Sequence, residues 1–375
     1  MHKHRWHLGA ALAAALMPFA AHAQAPAAAP MAAPAATAPS WNWGGDVRVR
    51  EDLRVRTHRS YQEELTKLRM LVGATGSLAD GKVDWGFRFG TFNNAVSRNI
   101  VLAGGDLNGN NAMGIDLAYL KFKPTDRLSV AVGKIVNPFW ESYGVFDPDL
   151  TPEGAALSYR IYQAKAKGDL FSNVDNTVAY FGVRNAIAGV NNQPWMLGDQ
   201  IRATTGRVDL GLACYFYSGL NEGGKVAAMT QSSDQTVAGL FTKDQMTVIS
   251  GKVRHAFKVV KQPLVVSGEI WDNVQVSKHC MGFEGKVEAP KFLGTGRGSL
   301  TYRESNQDST LAAWADDDLG EGTGYKAGIQ AQYSVPIYKN VDFEADYFHY
   351  DRWQPLSNPG AMSTNRVFLQ VEAKF

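Results

Sequence analysis

Several features that are common in membrane proteins and enzymes are scarce in this sequence. Its one long apolar run, residues 8–21, has about 14 residues, whereas a membrane-spanning helix needs about 20. Its 2 cysteines, Cys214 and Cys280, form neither a disulfide framework nor the spacing of a haem or zinc site. A formal net charge of +2 gives no basic surplus for nucleic acid. These absences argue against a helical anchor, a disulfide-rich fold, a cysteine-bound cofactor and a nucleic-acid partner.

The first 23 residues have the form of a cleaved export signal. Two basic residues precede the apolar run, and residues 21–23, Ala-His-Ala, form a small-x-small cleavage pattern. We therefore expect a signal peptide at 1–23 and a folded domain at 41–375. The segment 24–40 between them is almost entirely Ala and Pro, so we expect a periplasmic lead-in without a core of its own. Removing the signal leaves 36 basic and 36 acidic side chains.

The rest of the chain alternates apolar and polar residues with period two, as strands do. In the first such strand, which begins at Asp46, one face carries Val47 and Val49 and the other carries arginines. The pattern predicts about sixteen strands. We place them near 46–56, 68–74, 83–90, 115–123, 128–132, 155–167, 176–184, 196–205, 207–217, 245–257, 263–272, 280–288, 298–304, 324–334, 341–349 and 364–375. The facing of the fourth is ambiguous.

The connections between these strands alternate in length. Odd-numbered ones such as 92–113 and 218–244 are mostly long, and even-numbered ones such as 79–82 and 258–262 are short. Strands with one apolar and one charged face, joined by alternately long and short connections, fit a barrel wall between lipid and a wet lumen. The sequence thus predicts an all-β fold, a transmembrane antiparallel β-barrel. Sixteen strands leave a water-filled channel.

The connection after the fifth strand has the composition of a loop that is folded inward. Residues 133–153 contain three prolines and four aromatic residues, which could hold the loop against a wall. We predict that this third outer loop enters the lumen and forms an acidic pore constriction; a rim loop or a subunit contact remains the alternative. Its acidic residues are Glu141, Asp147, Asp149 and Glu153.

Positive charge is predicted on the opposite wall. The inward faces of the first three strands carry Arg48, Arg50, Arg54, Arg56, Arg69 and Arg88. A row of arginines facing carboxylates makes a transverse field that orients polar solutes. The alternative is that these arginines only neutralise acids of the lumen, such as Glu284, Glu344, Asp346 and Glu372. The two interpretations overlap, and both stay open.

The last strand ends in a pattern that resembles the C-terminal assembly signal of bacterial outer-membrane barrels. Its outward residues are Val367, Leu369, Val371, Ala373 and Phe375. In that signal an aromatic residue usually stands two places before the end, where this chain has Ala373. The resemblance implies recognition by the barrel assembly machinery.

Three further motifs resemble those of a proteobacterial "putative porin" family, which is similar in architecture to the general trimeric porins. They are Gly133-Lys134 with Asn137-Pro138-Phe139, residues 147–154 (Asp-Pro-Asp-Leu-Thr-Pro-Glu-Gly), and residues 316–320 followed by Gly322-Thr323. The resemblance implies an outer-membrane pore of a Gram-negative bacterium for passive diffusion of small hydrophilic solutes and ions. It also implies contact with lipid and lipopolysaccharide and assembly as a homotrimer. It implies no particular solute.

Other functions have weaker support. An outer-membrane enzyme needs a nucleophile with a histidine partner, and the histidines that follow the signal, His58, His255, His279 and His349, have no nucleophile motif beside them. We therefore expect no catalytic residues, no cofactor and no metal site. A substrate-selective barrel, or one that sheathes an electron-transfer partner, remains the alternative. The acidic run Asp316, Asp317, Asp318 and Glu321 is predicted to be a solvated outer loop, with divalent-ion binding as the alternative.

Overall fold

The computed structural model describes residues 40–57, 62–92, 97–102, 112–164, 169–183, 193–220, 245–321, 325–353 and 361–375. The predicted signal peptide and the predicted lead-in up to residue 39 lie outside them. No helix in these residues is long and apolar enough to cross a membrane.

Seventeen β-strands make up the secondary structure of the described residues. They are β1 (Ser40–Arg56), β2 (Gln62–Leu78), β3 (Val83–Phe92), β4 (Ile100–Val101), β5 (Ala112–Thr125), β6 (Leu128–Lys134), β7 (Glu153–Gln163), β8 (Asn173–Gly182), β9 (Trp195–Thr204), β10 (Val208–Ser218), β11 (Gln245–Val259), β12 (Gln262–Asn273), β13 (Met281–Phe292), β14 (Gly296–Ser305), β15 (Lys326–Tyr338), β16 (Val341–Trp353) and β17 (Ala361–Lys374).

Sixteen of these strands are long and close into one antiparallel barrel. Each pairs with its neighbours along the chain, and β1 closes the ring by pairing with both β2 and β17. The two-residue strand β4 continues the path of β3 beside β2, where Ile100 lies opposite Leu68. The predicted fold class, an antiparallel barrel of about sixteen strands, is confirmed.

The two faces of the wall differ as the alternation predicts. Val49 and Leu212 are among the apolar side chains exposed on the outside, while the inward Asp52 and Arg366 are almost completely buried. Inward polar side chains are buried because they pair across the strands and with loops inside the barrel. Asp52, for example, accepts two hydrogen bonds from the Arg366 guanidinium at 2.9 and 2.8 Å.

A β-bulge explains the ambiguous facing of the fourth predicted strand, which is β5. Opposite the adjacent residues Arg88 and Phe89 of β3, the register jumps from Leu117 to Ile115, so that Asp116 is the extra residue. Ile115 is exposed on the outside, Asp116 and Leu117 are both buried, and the outward positions beyond the bulge fall on even numbers. An extra residue in one strand reverses the parity of its alternation, so no single period fits the segment.

Most of the strands are longer, and several turns shorter, than the sequence predicts. β1 begins at Ser40 instead of Asp46, because residues 41–45 pair with β2 although two of them are glycines that give no alternation signal. The connection between β11 and β12 is only Val260–Lys261, both with positive φ. Long and short connections still alternate along most of the chain, so the longest connections join strands at one end of the barrel.

Candidate functional site

The segment between β6 and β7, the 135–152 loop, packs against the inner face of the wall. The ring of Phe139 meets that of Tyr215 edge-on at 5.0 Å, and Phe146 meets the same tyrosine at 4.9 Å. Tyr215 is fully buried on the inward side of β10. Aromatic pairs of this geometry add to the burial of apolar area. The aromatic residues of this loop therefore attach it to β8–β10, where Phe181 of β8 also contacts Phe139.

Glu141 is the polar anchor of this loop. Its carboxyl group accepts three hydrogen bonds. The donors are the Tyr215 hydroxyl, Gln200 Nε2 at 2.6 Å and Ser250 Oγ at 2.9 Å. Burial and the nearby Glu269 carboxylate raise the pKa of Glu141 well above its usual value. The Glu141 carboxyl group therefore holds its proton more tightly than a free carboxyl group does, and its oxygens are taken up by contacts with the wall.

Ser142 and Gly144 extend the attachment to β12. The backbone N–H of Ser142 donates to Glu269 Oε2 at 2.6 Å, and Glu269 also lies 3.3 Å from Lys252 Nζ. At Gly144 there is no room for a side chain, because a Cβ there would overlap the buried ring of Trp271. The loop is thus held against five consecutive strands, β8 to β12.

A second connection also folds into the barrel, which the sequence did not predict. The segment between β14 and β15, described from 306 to 321 and called the 306–321 loop, was predicted to be solvated and acidic. Instead Trp314 and Asp316 are buried, and Arg303 Nη1 of β14 donates to Asp316 Oδ2 at 2.6 Å. The prediction of a solvated loop is wrong because Leu311, Trp314 and Leu319 need apolar cover and inward-facing arginines attract the acids.

The two loops meet in the interior. The N–H of Asp147 donates to the carbonyl oxygen of Trp314 at 2.7 Å, and the N–H of Asp316 donates to the carbonyl oxygen of Tyr143 at 2.9 Å. At this junction carboxyl oxygens of Asp147, Asp316 and Asp317 all lie within 4.8 Å of one another. Burial and the neighbouring acids raise the pKa of Asp147 well above its usual value and that of Asp317 to about 7. Protonation is thus one way to relieve the repulsion; divalent-ion binding remains the untested alternative.

The predicted arginine row does line the inner face, and its acidic partners lie both on the wall and on the 306–321 loop. Arg50 Nη1 lies 3.3 Å from Asp318, and Arg56 Nη2 lies 2.7 Å from Glu321. Of the four predicted constriction acids, only Asp149 has an ion pair with the row, at 3.8 Å from Arg69 Nη1. Arg69 also pairs with Glu372 at 2.7 Å. This contact agrees with the alternative interpretation, in which the arginines neutralise acids of the lumen. Arg54 pairs with Asp52 and Glu321, and Arg88 with Asp116.

Glu153 lies apart from the other predicted constriction acids. It is the first residue of β7, is exposed, and pairs with Lys134 at 3.1 Å. It lines a shallow pocket together with Tyr180 and Trp195, which are on the outer face of the wall. The inclusion of Glu153 in the constriction is therefore wrong: the strand begins two residues earlier than predicted and takes this side chain out of the loop.

A third inward segment, residues 97–102, was missed by sequence reasoning. Arg98 is buried, pairs with Asp116, and donates from Nη2 to Thr151 Oγ1 of the 135–152 loop at 2.7 Å. Its neighbour Asn99 accepts a hydrogen bond at 2.8 Å from Arg48 Nη2. A two-residue strand carries no periodic signal, so nothing local marks these residues. Arg366, whose guanidinium donates to Asp52, differs from Arg98 and Asn99 in that its inward position can be deduced from the alternation of β17.

The predicted assembly residues lie on the outside of the closing seam. Leu369, Val371 and Phe375 are exposed. Phe375 extends the pairing beyond β17, because its carbonyl accepts from the N–H of Gly45 at 3.0 Å and its N–H donates to the Gly45 carbonyl at 3.1 Å. The terminal residue thus takes part in closing the barrel.

Comparisons with known proteins agree with this architecture. A family model described as "putative porin" matches residues 55–236. Among solved structures, Salmonella typhi OmpF in complex with daunomycin is 14% identical, with a TM-score of 0.55, over 89% of this chain and 97% of that one. The outer-membrane channel DcaP of Acinetobacter baumannii is 13% identical, with a TM-score of 0.55, over 90% and 97%.

A triple mutant of the Rhodopseudomonas blastica porin is 12% identical over 90% of this chain and 100% of that one, with a TM-score of 0.50. A search of curated proteins finds no match. At these identities the structural likeness concerns the fold alone. The predicted resemblance is confirmed: the chain resembles the "putative porin" family in sequence over residues 55–236 and porins in fold over about nine-tenths of its length.

Proposed function

We propose that this protein is an outer-membrane channel of a Gram-negative bacterium that lets small hydrophilic solutes and ions diffuse passively. The observation that carries the proposal is the closed wall of sixteen long strands with apolar side chains outside and charged side chains inside. Such a wall separates lipid from a wet interior, and its strand number leaves room for a channel. The interior chemistry consists of ion pairs and aromatic packing, which suits a selective passage better than catalysis.

The constriction in this proposal lies between the arginine row and the two inward loops. Asp149 of the 135–152 loop and Asp318 and Glu321 of the 306–321 loop bring negative charge to the arginines of β1 and β2. Charges inside a narrow, partly dry passage are screened less than charges on a surface. Local charge therefore sets ion selectivity, although the whole chain is nearly neutral.

The test is single-channel recording of the purified protein in planar bilayers, with the reversal potential measured in a salt gradient. Replacing Arg48, Arg50 and Arg54 together by Ala should shift selectivity toward cations, and replacing Asp149 by Asn should shift it toward anions. The matched control is Glu153→Gln, which removes a charge from the outer face. Folded barrels that conduct nothing would refute the channel. Conducting variants with unchanged reversal potentials would refute the constriction alone.

We propose further that the barrels assemble as homotrimers through the side formed by β16, β17, β1 and β2. Polar groups interrupt the apolar outer face there: Thr66 donates to Glu51 at 2.9 Å, and His349 and Tyr347 contact Asn365 at 3.0 and 2.7 Å. Charged groups are costly against lipid, so these positions favour cover by another copy.

The assembly test uses cysteine cross-linking in outer-membrane fractions, in a background with both native cysteines replaced by Ser. Val49→Cys, on the proposed interface, should give cross-linked subunits. The control is Leu212→Cys, which is also exposed but lies on β10, across the barrel from β1. Equal cross-linking at both positions, or none at Val49, would contradict this interface.

A further inference from the structure

We propose that Arg48 forms the centre of a binding site for a small oxyanion, such as a carboxylate or phosphate solute, inside the channel. The inference rests on the proposed channel function and adds to it a class of solute and a residue that recognises it. It comes from a difference between Arg48 and its neighbours in the row.

Arg48 is the member of the row without an acidic partner among the described residues. Its one hydrogen bond runs from Nη2 to the neutral amide oxygen of Asn99 at 2.8 Å. Its Nε is buried with no hydrogen-bond partner. By contrast, Arg50 lies 3.3 Å from Asp318, and Arg69 lies within 2.8 Å of Asp46 and 2.7 Å of Glu372.

The three arginines form a cluster on the inner face. Arg48 lies directly opposite Arg69 in the pairing of β1 with β2, and Arg50 is two residues along the same strand on the same side. Arginine does not lose its proton in proteins, so repulsion among the three guanidinium groups cannot be relieved by deprotonation. An anion from solution, placed at the unpaired member, relieves it.

The surroundings of Arg48 suit an oxyanion in particular. The side chain is only 9% exposed, and a buried charge without a counter-charge is costly. Asn99 fixes the guanidinium through one N–H without neutralising it, and the buried Nε stays out of reach, so the solute would bind through the remaining Nη donors. A guanidinium presents its donors as a planar fork that matches the two oxygens of a carboxylate or the oxygens of a phosphate. The nearest acids of the loops, Asp149 and Asp318, instead pair with Arg69 and with Arg50.

The test compares ions in planar bilayers. Single-channel conductance of the wild-type protein is measured against concentration for sodium phosphate, sodium acetate and potassium chloride. A binding site predicts saturation with the two oxyanions at concentrations where chloride current still rises, and inhibition of the acetate current by phosphate. Both results come from the wild-type protein, so they do not depend on the folding of a variant.

Substitutions then assign the site. Arg48→Gln should raise the half-saturating phosphate concentration by about tenfold, the effect of losing one charge-assisted contact, and Arg48→Lys should lie between that variant and the wild type. The control is Arg160→Gln, which removes a charge of the same sign that is paired with Asp175 on β7 and β8. It should leave saturation unchanged.

The possible outcomes distinguish a failure of the oxyanion site from a failure of the channel itself. A channel that conducts all three salts without saturation keeps its proposed function and overturns the oxyanion site. Saturation that is equal in wild type and Arg48→Gln, or equally lost in Arg160→Gln, also overturns the assignment to Arg48. A folded protein that conducts nothing refutes the channel and this inference with it.

Discussion

The backbone N–H of Asp147 donates to the carbonyl oxygen of Trp314 over 2.7 Å, although 167 positions separate the two residues. This bond joins the 135–152 loop to the 306–321 loop inside the barrel. The ring of Trp314 also packs on Phe146 and Tyr217, each at 6.1 Å. The two loops therefore form one connected layer across the interior, and a change in one should be felt by the other.

We expect Trp314→Ala to loosen that layer. The side chain is almost fully buried, and truncating a buried tryptophan typically costs about 3–5 kcal/mol. The lost stability should loosen the two loops and leave the wall intact, because the strands of the wall are held by their own backbone hydrogen bonds. Single-channel recordings should show larger and noisier currents while the barrel keeps its heat-modifiable mobility in gels. Trp41→Ala, an exposed outward tryptophan, is the control, and unchanged currents in Trp314→Ala would contradict the prediction.

The 306–321 loop should contribute more to selectivity than the buried Glu141. We expect Asp318→Asn combined with Glu321→Gln to shift the reversal potential toward anions, because it removes the acidic partner of Arg50 and leaves Arg56 paired with Glu63 alone. Glu141→Gln should shift it much less, since that carboxyl group is hydrogen-bonded to the wall and its raised pKa disfavours the charged form. Reversal potentials in the same salt gradient test both. A larger shift from Glu141→Gln would place the filter on the other loop.

The attachment of the 135–152 loop should weaken as pH rises. Glu141 has a folded-state pKa above its ordinary value of 4.5, so the folded state holds its proton more tightly than the unfolded state does. The stabilisation is complete below about pH 4.5 and is lost as pH rises through the folded value. Channel noise, and hydrogen exchange of the loop corrected for intrinsic rates, should both increase with pH. Glu141→Gln mimics the protonated form and should flatten this dependence; a dependence that persists would implicate another group.

Removal of Phe375 should impair assembly more than conduction. The deletion removes two backbone hydrogen bonds to Gly45 at the closing seam, at 3.0 and 3.1 Å, and it touches no inward side chain. We expect less heat-modifiable folded protein in the outer membrane but normal conductance from the barrels that form. Phe375→Ala keeps the backbone bonds and so separates the aromatic ring from the chain end. Normal folded levels in both variants would contradict the assembly role.

The sequence by itself determined the wall. Alternation of side chains is a local property of an extended chain, so the inward facing of Arg48 and Arg366 and the outward facing of Val49 and Leu212 could be deduced one strand at a time. The number of strands and the alternation of connection lengths then followed. The alternation failed where it was locally broken, as at the bulge residue Asp116 in β5.

Only the tertiary structure decided which charges meet. Asp318 lies 268 positions from Arg50, and no local pattern shows that the loop carrying it turns inward. The loop folds this way because burying Trp314 and Leu319 and pairing the acids with the row are satisfied together, a condition set by the closed barrel. The position of Glu153 outside the predicted constriction also depends on tertiary structure, because the pairing of β7 with β6 determines the residue at which β7 begins. The side of a strand on which a residue lies depends on its neighbours in the sequence. Ion pairs between residues on opposite parts of the interior form only once the barrel has closed.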